Sequence, residues 1–73
     1  MPKKQQARKY LRRVRNGWVL VRDTDHEYYE KTLPDGRKLR TKLSHGNGEI
    51  PPKIWRVMLK QMEITEEEFY AGI

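Results

Sequence analysis

The fold is set by residues 18–44, WVLVRDTDHEYYEKTLPDGRKLRTKLS, a stretch with the marks of three consecutive β-strands. Residues 18–21 and 26–33 contain the β-branched and aromatic side chains that favour extended backbone. Residues 37–44 alternate leucine or threonine with basic side chains, as in an antiparallel strand that buries one face only. Asp23-Thr24-Asp25 and Pro34-Asp35-Gly36 supply turns, since proline presets φ and glycine accepts a positive φ. The stretch therefore predicts a three-stranded antiparallel sheet.

Apolar residues recur at helical spacing on both sides of this stretch. The two stripes are Ala7, Tyr10, Leu11 and Val14 within residues 4–15, and Ile54, Trp55, Met58, Leu59 and Met62 after Pro51-Pro52. The basic residues off the first stripe are expected to be solvated: Lys4, Arg8, Arg12 and Arg15. A capping box of Thr65 and Glu68 predicts a short last helix. The predicted fold is α+β, in the order α-β-β-β-α plus a short C-terminal helix, with the helices on one face of the sheet.

Length and composition favour a single domain over residues 1–73 with one small core. The chain has no cysteine, no apolar run of membrane-spanning length and no signal-peptide pattern, so we expect a soluble cytoplasmic protein. The net charge is +6, and residues 1–22 hold basic residues but no acid, a bias that favours an anionic partner such as nucleic acid. Residues 1–7 are expected to be disordered until an anion binds.

Two histidines are the candidate catalytic groups, because imidazole suits proton transfer near neutral pH. His26 opens the second strand, and His45 would complement it if the fold brings the two loops together; otherwise His45 is an ordinary loop residue. The cations that would bind the phosphates of an anionic partner are Lys38, Arg40 and Lys42 on one strand face, with Arg22 near the turn, although such a face can also be merely solvated. No metal-ligand spacing and no phosphate-binding glycine loop is present, so no metal or cofactor is expected.

An ordered series of short motifs resembles the HicA toxin family over residues 8–70. The motifs are GWVLVR at 17–22, His26, LPDGR at 33–37, SHGNGEI at 44–50, WRVMLKQ at 55–61 and TEEEF at 65–69. The resemblance implies a double-stranded-RNA-binding-domain-like fold and a metal-independent endonuclease that cleaves messenger RNA. It also implies a toxin that is neutralised by a cognate HicB-like antitoxin. The family's catalytic histidine corresponds to His26, and His45 corresponds to a second family position that follows the third strand.

The residues before His26 depart from the family pattern. Typical members have Gly-Ser or Gly-Gly there, whereas this chain has Thr24-Asp25. The Asp25 carboxylate would either orient the imidazole and favour its protonated form, or repel RNA. Two alternatives to a ribonuclease therefore remain open: a non-catalytic RNA-binding module of the same fold, and a protein-interaction domain whose basic helix meets an acidic partner.

Overall fold

A computed structural model describes residues 2–73 and confirms an α+β fold around a three-stranded antiparallel sheet. Its elements are α1 (Lys4–Arg12), a 3₁₀ turn (Val14–Asn16), β1 (Trp18–Asp23), β2 (His26–Thr32), β3 (Lys38–Ser44), α2 (Pro52–Met62) and α3 (Glu66–Ala71). This is the predicted order, with strand ends shifted by one or two residues. None of the α-helices within residues 2–73 has the length and apolar character needed to cross a membrane.

The strands lie in the order β1-β2-β3, and their register gives the sheet two unlike faces. Residues that are directly opposed on neighbouring strands point to the same side of the sheet. One side, called here the inner face, carries Trp18, Glu27, Tyr29, Leu39, Thr41 and Leu43. The outer face carries Arg22, His26, Tyr28, Glu30, Lys38, Arg40 and Lys42. Both long helices lie on the inner face, since α1 hydrogen-bonds Glu27 and α2 hydrogen-bonds Thr41. The outer face is left open to solvent.

Phe69 of α3 completes the core beneath the inner face and is fully buried. Its ring centroid lies 5.2 Å from that of Tyr10 in α1 and 4.6 Å from that of Trp55 in α2. Trp18 and Trp55 are both buried and belong to this core. The capping box is also confirmed, because Thr65 Oγ1 accepts from the Glu68 amide and Glu68 accepts from the Thr65 amide. Through Phe69, the short helix α3 packs against both α1 and α2.

Two predicted members of the apolar stripes lie outside the core. The first helix was expected over residues 4–15 but ends at Arg12, because Arg13 takes an extended conformation at φ −73° and ψ 122°. Val14 therefore falls in the 3₁₀ turn, with 94% of its surface exposed. Ile54 is 51% exposed, because Trp55, Met58 and Met62 are the residues that α2 turns toward the sheet. The exposure of Val14 and of Ile54 is therefore set by where α1 ends and by which side of α2 faces the sheet, and not by the hydrophobicity of the two side chains.

The N-terminal segment runs against the loop between β3 and α2. The Ile50 amide donates to Pro2 O at 3.0 Å, the Lys4 amide donates to Gly48 O at 2.8 Å, and Lys3 forms an isolated bridge with Glu49. Met1 lies outside the described residues. Disorder of residues 1–7 before an anion binds stays a prediction.

Candidate functional site

His26 lines a groove of about 420 Å³ where the ends of β2 and β3 meet the beginning of α2. It is the first residue of β2 and pairs with Ser44, the last residue of β3. The groove is lined by Lys4, His26, Lys42, Leu43, Ser44, Glu49, Ile50, Pro51, Ile54 and Met58. A volume of this size is typical of sites that bind small molecules or single groups of a larger ligand. Its lining combines one imidazole, two lysines and the carboxylate of Glu49 with an apolar wall from α2 that includes the exposed Ile54.

Asp25 lies beside the His26 ring. Its Oδ2 is 3.3 Å from His26 Nδ1, and that nitrogen has no well-oriented hydrogen bond to any residue in 2–73. The other oxygen, Oδ1, accepts from the hydroxyls of Tyr28 at 2.9 Å and Thr24 at 3.0 Å. These donors, Tyr28 foremost, then Thr24 and the nearby His26 ring, hold the pKa of Asp25 far below its usual range. The carboxylate is thus ionised and held by the two hydroxyls, with its second oxygen beside the imidazole.

Arg22 stacks on Tyr28 at the middle of the outer face. The guanidinium carbon lies 4.1 Å from the centroid of the Tyr28 ring, within the range of a cation–π contact. The Tyr28 ring lies edge-on to His26, with 6.2 Å between the centroids. Because Arg22 and Lys42 both pair directly with Tyr28 across the sheet, the ring stands between two cations. Arg22 therefore belongs to the same surface as His26.

The basic residues of β3 differ in their partners. Lys38 Nζ lies 3.5 Å and Arg40 Nε 3.0 Å from Glu30, which neutralises part of their charge. The Arg40 hydrogen bond, with further help from Lys38, lowers the pKa of Glu30 despite its partial desolvation. Lys42 has no ion pair among residues 2–73 and lines the His26 groove. The predicted cations Arg22, Lys38, Arg40 and Lys42 all lie on the outer face with His26, and Lys42 is the one that borders the groove.

His45 lies close to the turn before His26, but its ring bonds to the residues of that turn and does not reach the groove. Its Nε2 lies 3.0 Å from the carbonyl oxygen of Thr24 and 3.1 Å from Asp23 Oδ1, so this nitrogen must carry the proton and donate. Its Nδ1 lies 3.6 Å from Glu27 on the inner face. His45 thus ties the loop after β3 to the β1–β2 turn. It does not line the groove that His26 occupies.

Glu27, which the sequence did not single out, is a buried acid at the centre of an ionic cluster. It accepts from Arg8 Nε at 2.9 Å, Arg12 Nη2 at 3.2 Å and the Tyr29 hydroxyl. Burial raises the pKa of Glu27, but the hydrogen bonds from Tyr29 and Arg8 and the charges of Arg8 and Arg12 outweigh it and lower the pKa overall. Arg8, expected to be solvated, keeps only 20% of its side chain exposed because it pairs with this acid. The alternation of β2 could have shown that Glu27 is buried, because Glu27 and Tyr29 must lie on the same face of the strand.

The ionic cluster around Glu27 lies on the inner face, and its Arg8 also contacts the loop that follows β3. Arg8 Nη2 also lies 3.3 Å from the carbonyl oxygen of Gly46, and Lys4 Nζ lies 3.4 Å from that of His45. Together with the Glu27 contacts, these bonds attach α1 to the end of the sheet and to the loop after β3. The groove residue Lys4 is therefore held beside the loop that follows β3. Comparison of the chain with protein-family models, with curated proteins and with solved structures found no significant match.

Proposed function

We propose that this protein is a metal-independent endoribonuclease of the HicA toxin type, which cleaves messenger RNA with His26 as general acid or base. The observation that carries the proposal is the groove that His26 lines together with Lys4 and Lys42. Metal-free cleavage of RNA needs a group that moves a proton and cations that offset the charge on the phosphoryl oxygens. An imidazole and two lysines in one groove meet those needs.

In the proposed reaction, the 2′-hydroxyl attacks the adjacent phosphorus and the bond from phosphorus to the 5′-oxygen breaks. The products are a 2′,3′-cyclic phosphate and a free 5′-hydroxyl. As a base, His26 takes the proton of the 2′-hydroxyl, and water protonates the departing 5′-oxygen. As an acid, it gives its proton to the 5′-oxygen, and water takes the proton of the 2′-hydroxyl. Either role contributes roughly 10²–10⁴-fold to the rate. The Asp25 carboxylate, 3.3 Å from Nδ1, orients the ring for that transfer.

His45 has a positioning role in this proposal. Its bonds to Thr24 and Asp23 hold the turn from which His26 and Asp25 project. His45 therefore acts through the geometry of the turn rather than on the phosphate. Its removal is expected to loosen the site without eliminating the acid–base group.

The surroundings of the groove support RNA as the substrate. The outer face adds Arg22, Lys38 and Arg40 to the Lys42 that already lines the groove, and such cations bind backbone phosphates with little regard to base sequence. The strand and helix order also supports the double-stranded-RNA-binding-domain-like fold that the family resemblance implies. The toxin hypothesis further implies a HicB-like antitoxin that covers the outer face and His26, and action in the cytoplasm.

One observation favours a second candidate function, a non-catalytic RNA-binding module. Asp25 keeps 70% of its side chain exposed, and its ionised carboxylate repels a phosphate that approaches His26. In that case the cations of the outer face hold RNA, and no bond is broken. Substitution of His26 would then leave both binding and the cellular phenotype unchanged.

Induced expression of the protein in a bacterial host tests the proposal. Native protein should arrest growth, and His26→Ala at equal expression should not, although it still retains RNA at low salt. His45→Ala is the matched control, because it removes the other imidazole, and it should keep most of the arrest. A folded native protein that binds RNA yet never slows growth would favour the binding module. Equal loss of arrest in both folded histidine variants would contradict the separate roles given to the two rings.

A further inference from the structure

Tyr28 and the imidazole of His26 are the aromatic rings on the open outer face of the sheet within residues 2–73, and Tyr28 is the larger. Its neighbour Tyr29 is 1% exposed and points to the inner face, as strand alternation requires. Tyr28 pairs with Arg22 on one side and with Lys42 on the other. An aromatic ring set between two cations has no role in the core, because no helix covers this face.

The Tyr28 ring is held in a fixed orientation. Its hydroxyl donates to Asp25 Oδ1 at 2.9 Å, and the Arg22 guanidinium lies 4.1 Å from the ring centroid. A ring that is fixed before the ligand arrives loses little entropy on binding. The guanidinium thus covers one face of the phenol ring, and a base can add to the stack on the outer side of the guanidinium or on the uncovered face of the ring.

Two depressions share Tyr28 as a lining residue, and the smaller one extends around the β3 edge of the sheet to Gln61 of α2. The larger, of about 330 Å³, is lined by Val21, Arg22, Tyr28, Tyr29, Glu30, Arg40 and Thr41. The smaller, of about 150 Å³, is lined by Tyr28, Arg40, Thr41, Lys42 and Gln61. A planar group can thus approach the tyrosine from a space that also exposes Arg22, Arg40 and Lys42. Aromatic surface combined with cations is the chemistry that binds unpaired bases and their phosphates.

We propose that Tyr28 and Arg22 form a stacking subsite for one unpaired RNA base. The inference rests on the proposed function in one respect, the position of that base relative to the cleaved bond. Since the Tyr28 and His26 rings are 6.2 Å apart, the stacked base belongs to a nucleotide next to the scissile phosphate. In a duplex, bases are already stacked and paired, so the subsite selects single-stranded RNA. A purine, with its larger ring, should stack better than a pyrimidine.

The test measures binding separately from cleavage. Protein carrying His26→Ala is titrated into short single-stranded RNAs in which a 2-aminopurine replaces one base at successive positions, because stacking quenches its fluorescence. Quenching is expected at one position, and a duplex of the same sequence should bind more weakly. Adding Tyr28→Ala should remove the quenching and weaken binding about tenfold, whereas Tyr28→Phe, which keeps the ring and its contact with Arg22, should retain the quenching and most of the affinity. Tyr70→Ala, an exposed tyrosine on α3, is the matched control and should change neither.

The results separate the stacking subsite from the proposed cleavage. Unchanged quenching and affinity in Tyr28→Ala, or duplex binding as tight as that of the single strand, would overturn the subsite. Equal losses in Tyr28→Phe and Tyr28→Ala would overturn stacking in favour of the hydroxyl group. Should Tyr28→Ala fail to fold, Arg22→Ala takes its place: loss of the guanidinium that lies over the ring should weaken binding, and unchanged quenching and affinity would overturn the subsite. RNA that stacks on Tyr28 but is never cut by the native protein would overturn the proposed cleavage and leave the subsite standing.

Discussion

Replacing Glu27 by glutamine should destabilise the protein more than any other loss of a single charge in the sheet. Glu27 keeps 5% of its side chain exposed and is the shared partner of Arg8 and Arg12. Breaking a buried ion pair by removing one partner costs about 3–5 kcal/mol. Arg12 is half exposed and regains water, and glutamine still accepts from Tyr29, so we expect a loss of about 2–3 kcal/mol. A chain of 73 residues has a total stability of roughly 4–11 kcal/mol.

Thermal and urea unfolding followed by circular dichroism measure this loss. The expected fall in Tm is about 10–20 °C, given that each kcal/mol moves a domain of this size by about 4–8 °C. Glu30→Gln is the control, because Glu30 pairs with Lys38 and Arg40 on the open outer face, and its midpoint should barely change.

The stability that Glu27 contributes should depend on pH. The pKa of Glu27 is lowered in the folded protein, so its stabilisation is complete above the unfolded pKa of about 4.3 and is lost as pH falls through the folded pKa. The difference between native protein and Glu27→Gln should therefore shrink in acid. Equal midpoints for Glu27→Gln and Glu30→Gln at neutral pH, or a difference that persists at low pH, would refute the assigned ion cluster.

Three further perturbations test other parts of the structure. Thr65→Ala removes the side-chain cap of α3 and should lower the free energy of unfolding by about 1 kcal/mol in urea titrations; no change would mean that the cap does not form. Tyr28→Phe removes the leading hydrogen bond to Asp25 and should raise the pKa of that carboxyl toward its ordinary value, as read from carboxyl ¹³C shifts in an NMR titration. An unchanged Asp25 titration would contradict that contact. Lys42→Ala should weaken RNA binding for all sequences and reduce the slope of log K against log salt by about 0.7, whereas an unaltered slope would remove Lys42 from the phosphate contacts.

The strand pattern was the part of the fold that the sequence predicted best. Residues 37–44 alternate so regularly that Leu39, Thr41 and Leu43 could be assigned to the core, and all three are buried. Helix ends were harder to predict, because the break at Arg13 leaves no mark in hydrophobic spacing. Val14 continues the apolar stripe perfectly and still lies in solvent.

The candidate site was predictable where it depends on one strand and unpredictable where it depends on packing. The place of His26 at the beginning of β2 and the cations on one face of β3 follow from alternation alone. The pairing of Glu27 with Arg8 does not, because it depends on which turn of α1 lies over the end of the sheet. The orientation of the His45 ring likewise depends on a loop, whose geometry is set by bonds to Asp23 and Thr24.

Incubation of a defined single-stranded messenger RNA with the purified protein in excess chelator tests the central claim most directly. The native protein should cleave it and leave 2′,3′-cyclic phosphate ends, and His26→Ala should slow cleavage at least a hundredfold while still binding the RNA. Intact RNA bound by native protein, or equal cleavage by His26→Ala, would contradict the role given to His26.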